Sequence, residues 1–297
     1  MAHKALIGGT VYNVKNGKTL IGGTSYNVKS GKTLIGGTAY NINFVTAPQT
    51  AKYAMLYSDG SFVFQKDDTV APGKTLTASY TGYEDTSSPP WNGQQKNFKS
   101  VSFDGMVAPT NMAMWFYNSR NMVANISNFT NLVMDKVTYM RQSYSNCLNL
   151  TGSPVCGSNV IDFVSTYYNC RNLTGQPVCG RNVNRMFQTY SNCVNLTGTP
   201  VFGNNVTNIS YAYSNCSNLN AGNIYIYAKN ITNAYRCFYL KNYDRCYNLY
   251  VRAGSTTLNT LLKNSSSDSI VGYDITWKQS GTMYYNYKFN INIYPTL

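Results

Sequence analysis

The sequence predicts a mainly β fold with short helices, most of it a solenoid of repeated turns. Four cysteines, Cys147, Cys170, Cys193 and Cys216, stand 23 residues apart with nearly the same text around each. A second repeat, of 14 residues, opens the chain. Hydrophobic residues make up 43%, which suits a folded core and argues against disorder.

Residues 1–43 hold three copies of the shorter unit. Leu6-Ile7-Gly8-Gly9-Thr10, Leu20-Ile21-Gly22-Gly23-Thr24 and Leu34-Ile35-Gly36-Gly37-Thr38 each lead into Tyr-Asn, and Asn16-Gly17 and Ser30-Gly31 link the copies. Glycine tolerates positive φ, so these dipeptides mark tight turns and each copy reads as two short strands. So small a sheet buries little and is marginal alone, while its edges invite a partner. Leu20, Ile21, Tyr26, Leu34, Ile35 and Tyr40 are therefore the expected docking or oligomerisation residues. The plainer reading is a β-layer packed on the next domain.

Residues 44–100 read as a small β region. Tyr53-Ala54-Met55-Leu56-Tyr57 and Ser61-Phe62-Val63-Phe64-Gln65 flank Ser58-Asp59-Gly60, a strand–turn–strand pattern. Residues 85–95, with Pro89-Pro90 and Gly93, read as an exposed loop.

Residues 101–265 carry the long repeat. Tyr144-Ser145-Asn146-Cys147-Leu148-Asn149-Leu150-Thr151-Gly152 recurs from Tyr167, Tyr190 and Tyr213, with degenerate copies at 116–122 and 243–249. Such a period is a coil, with a strand at Asn-Leu-Thr-Gly-x-Pro-Val and a short helical return such as 205–213. Stacking sets like on like: Leu150, Leu173, Leu196 and Leu219 in one ladder, Tyr144, Tyr167, Tyr190 and Tyr213 in another, Val155, Val178 and Val201 alongside. Each buried side chain is worth about 2 kcal/mol, provided a neighbouring turn covers it. Residues 266–297 return to β at 273–277 and 284–294, as a cap.

The net charge of +13 comes from scattered cations with no run of five, which disfavours nucleic acid and suits acidic wall polymers or anionic glycans. No apolar run reaches membrane-span length, and residues 1–9 lack the apolar core of a signal peptide, so neither membrane insertion nor a secretory address is expected. His3 is the sole histidine and Glu84 the sole glutamate. A nucleophile–histidine pair is thus not expected, and Glu84-Asp85 or Asp67-Asp68 are neighbours in loops rather than carboxylates facing across a bond. The expectation is a non-enzyme with no catalytic residue, metal or cofactor. Zinc sites favour C-x₂-C, and the slot of Cys156 and Cys179 becomes Phe202 in the next copy. These cysteines therefore read as small buried hydrophobes, with disulfides between turns left open. The columns Asn146, Asn169, Asn192, Asn215 and Asn149, Asn172, Asn195, Asn218 read as amides satisfying backbone at turns.

The stretch from Val206 through Thr207-Asn208-Ile209-Ser210-Tyr211-Ala212-Tyr213-Ser214-Asn215-Cys216-Ser217-Asn218 to Leu219 resembles the BspA-like leucine-rich repeats of bacterial surface proteins, as does 109–119. The resemblance covers roughly 98–265 and implies a leucine-rich-repeat solenoid, with Tyr213 in the place of a core Phe. The Gly-Lys-Thr-Leu-Ile-Gly-Gly-Thr repeats, followed by Leu56-Tyr57-Ser58-Asp59-Gly60 and then BspA-like repeats, resemble structural proteins of phages infecting gut Firmicutes. That likeness implies a virion component, assembled in the host cytoplasm and released by lysis. It would be a homo-oligomeric tail or head appendage that joins other virion proteins through 1–43 and attaches to a host surface polymer or glycan. Two rivals stand beside it. One is a cellular BspA-like adhesin, decided by whether capsid or tail genes flank it. The other is a lectin or carbohydrate-active module, tested by substituting Glu84. Positions that vary between turns are Leu148, Arg171, Val194, Ser217 and Ser153, Gln176, Thr199. Arg171, Gln176 and Arg181 would make a cationic patch for an anionic ligand, or equally a wetted surface. Trp277, Tyr284, Tyr285 and Tyr287 would form a contact surface or the terminal cap.

Overall fold

The computed structural model describes seven strands within residues 1–48, and residues 49–294 except 221, 240–246, 264–269, 271–276 and 286–288; side chains are described from residue 49 onward, Tyr285 excepted. The fold is mainly β, in two compact units, Met1–Thr50 and Ala51–Leu297.

The first unit holds β1 (His3–Ile7), β2 (Thr10–Lys15), β3 (Lys18–Ile21), β4 (Thr24–Asn27), β5 (Lys32–Ile35), β6 (Thr38–Asn41) and β7 (Phe44–Val45). Ile7 pairs with Thr10, Ile21 with Thr24 and Ile35 with Thr38, leaving only a Gly-Gly pair between partners. One antiparallel sheet runs β4-β3-β2-β1-β7, and β5-β6 form a separate hairpin. Of the docking candidates, Leu20 and Ile21 lie on β3, Tyr26 on β4, Leu34 and Ile35 on β5, and Tyr40 on β6. Their side chains lie outside the described residues.

The second unit opens with β8 (Tyr53–Tyr57), β9 (Ser61–Gln65), β10 (Leu76–Tyr80) and β11 (Ser100–Phe103), in sheet order β10-β8-β9-β11. Asp59 closes the expected turn: its Oδ1 accepts from Ser61 N at 2.9 Å and Ser61 Oγ at 2.7 Å, and Lys74 lies 3.0 Å from Oδ2. These hydrogen bonds, the Ser61 hydroxyl first, hold its carboxyl well below the usual range. Residues 85–95 are not simply an exposed loop. Trp91 is fully buried, ringed edge-on by Phe62, Phe64 and Trp115, and donates its indole N–H to Trp115 O at 2.7 Å. An indole has too much apolar area to leave in water, and it pulls the segment inward.

From residue 107 to 238 the chain runs in successive matched turns. Asn111, Tyr139, Asp162, Arg185, Asn208 and Asn233 are joined in a column of parallel bridges. After each bridge, alternate N–H groups serve two purposes. Met140, Gln142, Tyr144 and Asn146 donate to Asp162, Val164, Thr166 and Tyr168 of the next turn at 2.7–2.9 Å; Ser143, Ser145 and Cys147 close tight turns onto Met140, Gln142 and Tyr144. This replaces the expected helical return. Gln142 and Asn146, Ser165 and Asn169, Gln188 and Asn192, and Tyr211 and Asn215 all have φ between 51° and 64°. A left-handed residue at every fourth position prevents the i→i−4 ladder. Among the described residues the one α-helix is α1 (Thr256–Leu261).

The strand expected at Asn-Leu-Thr-Gly-x-Pro-Val is also reduced. β12 (Ala124–Asn125) and β13 (Leu150–Thr151) pair in parallel, but later turns keep single backbone bonds there, Thr174 N to Gly152 O and Thr197 N to Gly175 O. Gly175 and Gly198 stand at φ 83° and 85°, where a Cβ would strike Ser153 and Gln176 of the turn before, and Pro177 and Pro200 offer no N–H.

The leucine, tyrosine and cysteine columns are all buried. The valine ladder is a correction: Val155, Val178 and Val201 are half-buried, and Pro154, Pro177 and Pro200 take the inner position. The chain ends in a sheet of β14 (Asn223–Ile226), β15 (Tyr247–Arg252), β16 (Lys278–Ser280), β17 (Met283–Tyr285) and β18 (Phe289–Tyr294), ordered β14-β15-β18-β17-β16 with the first three parallel. The boundaries expected at 100 and 265 fall inside this unit, whose single core runs from Ala51 to Ile291. Trp277 and Tyr284 pack half-buried against that core, as cap residues do. Residues 273–276 and Tyr287, and the side chain of Tyr285, lie outside the described residues.

Candidate binding surface

The interior columns are built for mutual satisfaction. Cys147, Cys170, Cys193 and Cys216 are free, fully buried thiols. Each donates to a carbonyl of the preceding turn, Phe116, Tyr144, Tyr167 and Tyr190 respectively, at 2.9–3.1 Å. Burial pushes the Cys216 thiol up to about 12 and the other three upward as well. Cys156 and Cys179, expected in the buried ladder, are half-buried, and burial likewise raises each to about 12.

Three core tyrosine hydroxyls, of Tyr167, Tyr190 and Tyr213, clamp the backbone 12 residues earlier. Tyr167 donates to Val155 O at 2.7 Å and accepts from Val155 N at 2.9 Å, and Tyr190 and Tyr213 do the same at Val178 and Val201. Tyr144 heads the column, and its buried hydroxyl has no hydrogen-bond partner among the described residues. The asparagine column links turns by side-chain amides: Asn146 to Asn118 at 2.8 Å, Asn169 to Asn146 at 2.9 Å, Asn215 to Asn192 at 2.7 Å. Asparagine is also the residue best suited to the left-handed backbone there.

Glu84, Asp85 and Asp162 make structural contacts. Glu84 accepts from Ala108 N at 3.3 Å and Asp85 from Thr110 Oγ1 at 2.9 Å. Asp162, only 3% exposed, accepts from Val164 N at 3.1 Å and is gripped by Arg141 at 2.7 Å and Arg185 at 3.0 Å. It stands where Asn111, Asn208 and Asn233 make the same bond two residues ahead. Among the described residues no three His, Cys, Asp or Glu side chains gather.

The three residues predicted to bind are placed as follows. Arg171 and Arg181 are exposed, and Arg171 Nε donates to Asn169 Oδ1 at 2.9 Å. Gln176 is exposed too, but its amide bridges turns, accepting from Thr199 N at 3.0 Å and donating to Thr199 O. That bridge makes it a structural residue of the stack.

A surface that the repeat pattern did not single out lies at β14. Ile224 and Ile226 point into the core, while Tyr225 and Tyr227 are 43% and 47% exposed. The Tyr225 ring stacks on Tyr250 of β15 at 4.7 Å, and Tyr250 contacts Tyr294 of β18 at 5.4 Å. Tyr227 also walls an open cleft of ≈450 Å³ with Asn204, Asn205, Val206, Thr207, Lys229 and Asn230. No family model, no curated protein and no solved structure matches the chain. The signal that locates this surface is local: Asn223-Ile224-Tyr225-Ile226-Tyr227 alternates with period two, which leaves Tyr225 on the strand and Tyr227 just past its end both exposed while the isoleucines are buried. The 23-residue text is degenerate there, so attention to the period passes over it.

Proposed function

We propose that this chain is a non-enzymatic attachment protein of a phage particle, built on a BspA-like leucine-rich-repeat solenoid. Residues 1–43 join it to other virion proteins and to copies of itself, and the second unit meets a host surface polymer or glycan. The observation that carries this reading is the register of the turns. From Asn111 to Asn233 the same positions bond to the next turn; the recurring thiols and the hydroxyls of Tyr167, Tyr190 and Tyr213 are taken up by backbone groups, and the Asn146, Asn169 and Asn215 amides by the asparagine of the turn before. Such a stack is a scaffold whose variable outer residues remain for recognition. The acids named above have structural partners: Glu84 and Asp85 hold a loop, and Asp162 holds two arginines. The tail or head position, the release by lysis and the host follow from the family resemblance of the two repeat texts.

The test is incorporation. Particles grown with a copy lacking residues 1–43 are expected to lose the protein, detected by antibody in purified virions, while the remaining chain is soluble and melts cooperatively. Normal incorporation of the truncated chain refutes the joining role.

A further inference from the structure

We propose that Tyr225 and Tyr227, together with the cleft that Tyr227 walls, form a binding subsite for an acid-bearing polysaccharide. This deepens the attachment reading by naming its ligand and rests on that reading only for its biological setting.

The two rings make one flat surface. Tyr225 and Tyr250 face each other across neighbouring strands at 4.7 Å with planes 17° apart, so their ring normals run from strand to strand. Tyr225 and Tyr227 are also within 17° of parallel, with centroids 6.3 Å apart. Two residues of extended chain advance by about 6.6 Å, so this second offset runs along the strand. The rings lie side by side rather than on top of one another. β14 is the edge of its sheet among the described residues, and Tyr225 keeps 43% of its surface exposed beside Tyr250. A pyranose presents a face of C–H bonds to an aromatic plane and hydroxyls around its rim. Two side-by-side rings suit two successive sugars of a chain.

The cleft supplies the rim chemistry. Asn204 and Asn230 are exposed and make no side-chain hydrogen bond among the described residues, leaving amide donors and acceptors for sugar hydroxyls. Asn205 donates its amide to Arg181 O at 3.2 Å and keeps its oxygen as an acceptor. Lys229 is exposed and has no ion-pair partner among the described residues, and no Asp or Glu lines the cleft. A carboxylate or phosphate on the glycan therefore meets one cation and no opposing charge, within a chain of net charge +13. The buried tyrosines of the core cannot serve in this way, because neighbouring turns cover both faces of their rings.

The experiment uses the full chain on an array of bacterial oligosaccharides and polysaccharides, neutral and acid-bearing, with poly(glycerol phosphate) as a polyanion without sugar rings. Isothermal titration follows with the tightest-binding array member. Wild type is expected to bind acid-bearing pyranose chains. Tyr225→Ala/Tyr227→Ala should weaken binding at least tenfold and Lys229→Gln several-fold, the latter only for acid-bearing chains, while Tyr227→Trp retains binding. Melting curves verify that each variant is folded. Absence of wild-type binding across the array overturns the proposal. So does equal binding of poly(glycerol phosphate), or undiminished binding by the folded double variant. Cell binding that survives periodate oxidation of surface glycans, yet is lost in the double variant, moves the ligand to a protein and also overturns it. None of these results alters incorporation of the chain into particles, so failure here is distinguishable from failure of the attachment reading.

Discussion

Tyr144 and Tyr190 occupy equivalent positions with opposite consequences. Tyr190 holds both backbone groups of half-buried Val178, so Tyr190→Phe removes both hydrogen bonds, at a cost of about 1–3 kcal/mol. The Tyr144 hydroxyl is buried and unpaired among the described residues, so Tyr144→Phe should be neutral or stabilise by about 1 kcal/mol. Urea unfolding of the two variants reads the contrast, and equal losses would remove the clamp from the account. The thiols make a second statement at this scale. Burial raises Cys156, Cys179 and Cys216 from 9.0 to about 12 in the folded chain. Above pH 9 the unfolded chain releases protons that the folded chain keeps. Stability from each such thiol is therefore full below pH 9 and falls by about 1.4 kcal/mol per pH unit as pH rises toward the folded value. The urea midpoint should drop between pH 8 and 10.5, and Cys216→Ala should flatten the slope. An unchanged slope in that variant would show that the thiols are not its source.

Within one turn, Asp162 separates two contributions that the sequence runs together. Asp162→Asn keeps an acceptor for Val164 N, as Asn208 does for Ser210 N two column-steps away, and removes the grip on Arg141 and Arg185. Those arginines are 42% and 52% exposed, so solvent screening limits the loss to about 1 kcal/mol. Asp162→Ala also strands the Val164 N–H and should cost about 2–3 kcal/mol. Equal losses for the two variants, measured by denaturant unfolding, would assign the effect to charge alone. The legibility of the turn follows the same division. Columns of leucine, tyrosine and cysteine were readable because identical residues at one period meet identical surroundings. The 21- and 23-residue separations joining Asp162 to its arginines carry no such signal, since each of the three departs from the text around it. The helical return was misread because apolar residues three and four apart fit a helix and equally fit a chain of tight turns. The left-handed residues that decide between them include Gln142, Ser165 and Tyr211, types with no shared preference for that conformation.

At the scale of the molecule, the mainly β class, the N-terminal hairpins and the β8–β9 pair were legible from glycine placement and alternation. The shared core beneath residues 85–103 was not, because Trp91 and Trp115 meet only after folding brings distant segments together. Every turn from Tyr144 to Tyr213 hands its successor the same set of partners. The length of this protein is therefore quantised. Excising 170–192 joins Asn169 to Cys193 and keeps the text in phase, so the shortened chain is expected to unfold cooperatively with a smaller denaturant slope. Excising 170–190 throws each later residue onto the wrong neighbour and should yield insoluble product; equal solubility of the two deletions would contradict this. A gene carrying such a stretch can grow or shrink by unequal exchange, one whole module at a time, and alter the reach of its product while the joints between modules stay the same.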